Sequence, residues 1–130
     1  MEAVWNRRHT AITDVLAETA IRMIADSLPA TMACPDDTLL RGQLQTASVL
    51  AGMAMGTTQT ALAHSISYPF TARYGMPHGI ACSFTLAEVA KFNAESDRER
   101  LAPISRGMGC QIDALPDRLE VWFDSLGVGE

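Results

Sequence analysis

A chain of 130 residues and 14.0 kDa is one domain's length of polypeptide, which excludes two independent cores. Its 48% hydrophobic content is enough for one ordinary core and excludes disorder of the whole. Ten Lys plus Arg against fifteen Asp plus Glu leave a net charge of -5 and no basic patch, which argues against nucleic acid as a partner.

Met1 is followed by Glu2, Arg7 and Arg8 with no apolar run behind them, so no signal peptide is expected. From Ile12 to Leu28, apolar residues recur at spacings of three and four, predicting an amphipathic helix with Thr10 or Thr13 as its N-cap. Pro29 and Pro35 are expected to bracket a turn containing Cys34, and Asp36 or Asp37 to cap a second helix from Thr38 towards Gly56. Between Ala47 and Gly56 no charge remains on any face, which predicts a place in the middle of a bundle. Gly52 and Gly56 would there let a neighbouring backbone come close. The same stretch is too short to span a bilayer, so no membrane partner is expected.

Thr57 to His64 reads as a short helical piece that must end before Pro69. Tyr74-Gly75-Met76-Pro77 is turn chemistry, and the run from Ile80 to Phe92 is of helix length, with Asn93 as its stop. Ser96-Asp97-Arg98-Glu99 fits a capping box opening a helix towards Met108, and Pro116 opens a last helix that ends at Gly127. No alternating run predicts a strand, so the fold class is all-α, five or six helices in one bundle over residues 1–130. Cys34, Cys82 and Cys110 are odd in number and far apart, which fits a reducing compartment and a soluble, cytoplasmic protein.

The chemistry concentrates between His64 and His78. Imidazole is the commonest protein ligand for divalent transition metals, and a His near one helix end can meet another at the start of the next helix. Two His fourteen positions apart are, however, more often hydrogen-bonded polar residues than ligands. A metal site needs at least three protein ligands, and no third His, Asp or Glu stands between Thr57 and Leu86. His9 reads as a surface or capping residue, and Met53, Met55 and Met76 as gap-filling core.

Ala63-His64-Ser65-Ile66-Ser67-Tyr68-Pro69, followed by Tyr74-Gly75-Met76-Pro77-His78-Gly79-Ile80-Ala81, resembles the metal-binding motif of the iron-containing (group III) alcohol dehydrogenases. The similarity extends upstream through Trp5-Asn6, Thr13-Asp14 and the Ala-rich helix, and downstream to Asn93. It implies the helical bundle of the C-terminal domain of dehydroquinate synthase-like and iron-containing alcohol dehydrogenases, with His64 and His78 as two ligands of a divalent metal, Fe²⁺ or Zn²⁺. The other two ligands belong to an Asp-x-x-x-His-x-x-Glu pattern; if Glu2 is its Glu, they would precede Met1.

The resemblance further implies an NAD(P)-dependent oxidoreductase acting on a small alcohol or aldehyde, its metal serving as Lewis acid during hydride transfer. No glycine-rich dinucleotide turn is present, so the NAD(P)-binding domain is expected to be missing and the chain truncated on both sides. Where many relatives carry a further His four positions after the first of these ligands, this chain has Tyr68, whose phenol is better suited to packing than to relaying protons. Phe70 and Arg73 are expected on the substrate side. Alone, the chain would be inactive, hold metal weakly through two His, and self-associate as a homo-oligomer or pair with the missing half. The alternative is a non-catalytic helical remnant serving oligomerisation or interaction.

Overall fold

The computed structural model describes residues 1–128; positions 129 and 130 of the domain expected over 1–130 lie outside the described residues. A short α1 (Glu2–Trp5) precedes the long α2 (Ala11–Ala33). Thr10 closes a reciprocal cap on α2: its N–H donates to the Thr13 hydroxyl at 2.7 Å, and the Thr13 N–H donates to the Thr10 hydroxyl at 3.2 Å. Asp37 accepts from the N–H groups of Leu39 and Leu40 at 2.9 and 3.1 Å and so starts α3 (Thr38–Thr58). Then follow α4 (Leu62–Tyr74), α5 (His78–Ser83) and α6 (Leu86–Asp97). A 3₁₀ turn, Arg98–Leu101, leads to α7 (Ala102–Met108), and a second, Ile112–Ala114, to α8 (Leu115–Asp124). The described residues contain no β-strand, so the fold is all-α.

Both prolines expected to end helices lie inside them, Pro29 in α2 and Pro69 in α4. Their rings are exposed, where solvent can reach the carbonyl group that loses its hydrogen bond. The break falls instead at Gln59, which ends α3 at φ +83°, so residues 57–64 are not one helical piece. The run from Ile80 to Phe92 is divided at Phe84 and Thr85, Asn93 is helical, and Asp97 rather than Ser96 is the cap, accepting from the Arg100 N–H at 3.3 Å. α8 closes at Asp124, short of the expected stop at Gly127, which lies in the turn that follows at φ +70°.

The core lies where α7 and α8 meet α2 and α6. Leu101, Ile104, Leu115 and Leu119 are fully buried there, with Ile21, Trp122 and Phe123 around them. Each such side chain stabilises the fold by about 1.5–3 kcal/mol relative to exposure. Close backbone approach occurs at Gly107 of α7, where an added Cβ would meet Ile21 Cγ2 at 2.8 Å and the Glu18 carbonyl oxygen at 3.0 Å. At Gly52 and Gly56 it would meet nothing within 4 Å, so these glycines do not mediate helix packing here.

The position of α3 also departs from expectation. It packs along α2 through Ala47, Ala54 and Thr58, but Val49 is 62% and Met53 57% exposed. The uncharged stretch is therefore an outer face in this chain rather than the middle of a bundle. Met53 and Met55 are exposed and fill no gap; Met76 is half-buried.

Arg100 ties the first residues to the core. Its Nε donates to the Val4 carbonyl at 2.6 Å, and its guanidinium pairs with the half-buried Asp14. Asp14 also faces His9 Nδ1 at 3.2 Å, which keeps His9 beside the start of α2. No helix among the described residues is long and apolar enough to cross a membrane.

Candidate metal centre

The site forms because α4 has no side-chain cap of its own and takes one from α1. Buried Glu2 lies 61 residues away in sequence, yet its Oε1 accepts from the Ala63 N–H at 2.7 Å and the His64 N–H at 3.4 Å. A carboxylate at this helix end satisfies orphan donors and complements the helix dipole. Its second oxygen, Oε2, accepts from Nδ1 of His64 in a short charge-assisted contact. The tautomer follows: Nδ1 carries the proton, and Nε2 is left with a lone pair to offer. Ser67 locks the same turn by donating its hydroxyl to the His64 carbonyl at 2.7 Å.

Gly75 ends α4 at φ +66°, a left-handed conformation suited to glycine, and its N–H returns to the Thr71 carbonyl at 3.2 Å. Met76 and Pro77 complete the turn, and His78 is the first residue of α5. The fold-back brings the His64 and His78 rings to a centroid separation of 5.4 Å at an interplanar angle of 70°. One helical turn along α5, the half-buried Cys82 places Sγ 3.8 Å from Nδ1 and 3.6 Å from Nε2 of His78. One ligand atom from each of His64, His78 and Cys82 lies within 4.8 Å of the others.

These three side chains, with Met1 and Glu2, line a cleft of about 560 Å³. Burial pushes the Met1 α-amino group below its ordinary value, opposed by the adjacent Glu2 carboxylate. A second cleft of about 470 Å³ shares Met1, Ile21, Ile24, Gly79, Ser83 and Leu86 with the first and continues to Trp122 and Phe123. A largely apolar trough thus ends at the two imidazoles.

The other candidates lie apart. Tyr68, one turn beyond His64, is 56% exposed. Phe70 packs edge-on against Phe84 at 5.1 Å and tilted against Tyr74 at 6.2 Å, while Arg73 is exposed. None of the three lines either cleft. The nearness of Cys82 to His78 was not anticipated from the sequence, although His-x-x-x-Cys on one helix puts both residues on one face. Nor was the hold of Glu2 on His64, for which no local signal exists across 61 positions.

Residues 1–126 match the family described as Fe-containing alcohol dehydrogenase family, C-terminal. The 1,3-propanediol dehydrogenase of Citrobacter freundii is 33% identical over 115 residues, 88% of this chain and 30% of that protein. The phosphonoacetaldehyde reductase of Streptomyces viridochromogenes is 35% identical over 92 residues, 71% of this chain and 23% of that protein. The chain thus spans less than a third of these relatives. Among solved structures, sulfoacetaldehyde reductase from Bifidobacterium kashiwanohense in complex with NAD⁺ superimposes with a TM-score of 0.89 at 32% identity, covering 98% of this chain and 34% of that one. A 1,3-propanediol oxidoreductase superimposes at 0.91 with 27% identity, covering 98% and 36%. A helical bundle that turns two histidines toward each other, matched over nearly its whole length, belongs to the Fe-containing alcohol dehydrogenase family and corresponds to its C-terminal part.

Proposed function

We propose that this chain is the metal-holding helical part of an NAD(P)-dependent oxidoreductase of small alcohols or aldehydes, with His64 and His78 as ligands of a divalent metal, Fe²⁺ or Zn²⁺. The observation that carries this reading is the pair of imidazoles 5.4 Å apart, one of them oriented by a buried carboxylate. The donor set fits: the Glu2–His64 contact leaves Nε2 free for a metal, and carboxylate-oriented histidines are the common arrangement in such sites. When bound, the metal supplies Lewis acidity toward an alcohol or carbonyl oxygen.

The chain's own residues do the rest. Glu2 fixes the His64 tautomer and cancels charge at the α4 terminus, and the turn at Gly75 sets the distance to His78. The trough toward Trp122 keeps water from a small substrate's carbon skeleton. Hydride exchange with NAD(P) requires chain beyond these residues, so the isolated polypeptide is inactive. Tyr68, Phe70 and Arg73 line neither cleft and hold no part of this site.

The test is metal binding by the full chain followed by calorimetry with Zn²⁺. Binding that weakens at least tenfold in both His64→Ala and His78→Ala supports the reading; equal affinity in wild type and both variants sinks it. A second reading, a non-catalytic module that associates through its surface, is favoured by the exposed Leu39, Val49 and Met53 on α3. It predicts self-association that Val49→Glu abolishes, and a strict monomer over a wide concentration range in sedimentation contradicts it.

A further inference from the structure

We propose that Arg100, complemented by Asp14, is a positioning residue: through the backbone of α1 it aims Glu2 and so fixes which nitrogen of His64 is offered to a metal. The inference rests on the proposed metal role of His64 and deepens it. Glu2 reaches His64 from α1, a helix of four residues with no side-chain cap. So short a helix cannot hold its own shape in water, because nucleation costs more than its few hydrogen bonds return. Its orientation has to be imposed from outside.

The contacts on α1 differ in kind. Burial of Val4 presses the helix onto the core, but hydrophobic contact is non-directional and leaves α1 free to turn about its axis. Asn6 Nδ2 donates to the carbonyls of Gln59 and Thr60 at 3.4 and 3.3 Å, long neutral bonds at the surface. Arg100 Nε donates to the Val4 carbonyl at 2.6 Å, and a charge-assisted bond is roughly twice as strong as a neutral one. That carbonyl is one of the orphan acceptors at the end of α1, and pinning it sets the direction in which Glu2 leaves the backbone.

Arg100 is itself anchored. Its guanidinium pairs with Asp14 in the first turn of α2, and the two side chains are only 20% and 16% exposed. Asp14 in turn faces His9 Nδ1 at 3.2 Å. A continuous path therefore runs from α2 through Asp14, Arg100, Val4 and Glu2 to Nδ1 of His64. Neither Arg100 nor Asp14 lines the cleft at the imidazoles, so any effect they have on a metal passes through Glu2.

The test is the neutral-ring tautomer of His64, read from long-range ¹H–¹⁵N spectra of the metal-free full chain, beside Zn²⁺ calorimetry. Wild type is expected to carry the proton on Nδ1. Arg100→Ala should mix the two tautomers and weaken Zn²⁺ binding roughly tenfold, the low end of what loss of an outer-shell partner costs. Arg100→Lys keeps the charge toward Asp14 but lacks the planar fork that reaches Val4 at the same time, and should fall between. In a Glu2→Gln background Arg100→Ala should cost no further affinity, because the two act along one path. Gly107→Ala, which strains the α2–α7 contact instead, should keep both tautomer and affinity, separating positioning from a general loss of stability. A wild-type tautomer ratio in Arg100→Ala, or additive losses in the double variant, overturns the proposal. Zn²⁺ binding indifferent to His64→Ala and His78→Ala overturns the metal role, whereas the tautomer, read without metal, decides the hold of Arg100 on His64 either way.

Discussion

Glu2 holds His64 and the start of α4 with one carboxylate, Oε1 on the Ala63 N–H at 2.7 Å and Oε2 on the imidazole Nδ1. The two tasks separate by substitution. Glu2→Gln keeps an oxygen for Ala63 but turns an amide donor toward Nδ1, which drives the ring proton onto Nε2, the nitrogen offered to a metal. Zn²⁺ affinity should fall roughly 10- to 100-fold with little change in thermal stability. Glu2→Ala should lose affinity similarly and also about 1–3 kcal/mol of stability, because buried donors are left unpaired. Calorimetry beside urea unfolding reads both effects; unchanged affinity in Glu2→Gln contradicts the orienting role.

Gly107 is the contact at which α7 meets α2, and it tolerates no side chain. Alanine would gain up to about 1 kcal/mol in helix propensity, but its methyl would sit 2.8 Å from Ile21 Cγ2 and 3.0 Å from a backbone oxygen. Overpacking at about 1–3 kcal/mol outweighs that gain, so Gly107→Ala should lower the urea midpoint with an unaltered slope. Gly52→Ala, with open space around it, should raise the midpoint slightly.

Gln59 ends α3 at φ +83° and ψ 175°, a region populated essentially by glycine. Its N–H is anchored to the Met55 carbonyl at 2.8 Å, and Asn6 donates to its carbonyl at 3.4 Å. Gln59→Gly should therefore stabilise the chain by about 1 kcal/mol, visible as a raised melting temperature. A lowered one would contradict the strain.

The Arg98 guanidinium grips Asp113 through Nε at 2.7 Å and the second nitrogen at 2.8 Å, and holds its carboxyl below the usual carboxylate range. A carboxylate with a depressed folded-state value contributes stability above the unfolded value, and that contribution fades as pH falls through the folded value. Both side chains are largely exposed, so the effect is small and screened by salt. Asp113→Asn should flatten the acid limb of the melting-temperature profile by slightly lowering its neutral end, while the lowest pH is unaffected. An unchanged acid limb counts against the pair.

The caps at Thr10 and Asp37 and the turn at Gly75 were legible because each is a local device, written within four residues of the backbone groups it satisfies. The prolines were misleading because an exposed helix face tolerates the loss that an interior would not. The all-α fold, the family and the approach of His64 to His78 could be read from motif and periodicity. The outward face of α3 could not, because an uncharged stretch reads the same whether it is covered or exposed. Gly107 was overlooked for the converse reason: nothing in Arg106-Gly107-Met108 marks the helix that crosses it eighty-odd positions away.

The clamp of Arg100 on Val4 spans 96 positions, and the hold of Glu2 on Ala63 spans 61. Both link the chain's first residues to partners deep in its sequence, so the wall that steadies His64 cannot assemble from any local segment. Loop-closure entropy must be overcome over most of the polypeptide before that imidazole is fixed. The orientation of His64 thus arrives late in folding, and fragments that stop short of Arg100 lack the clamp on Val4 however helical they become.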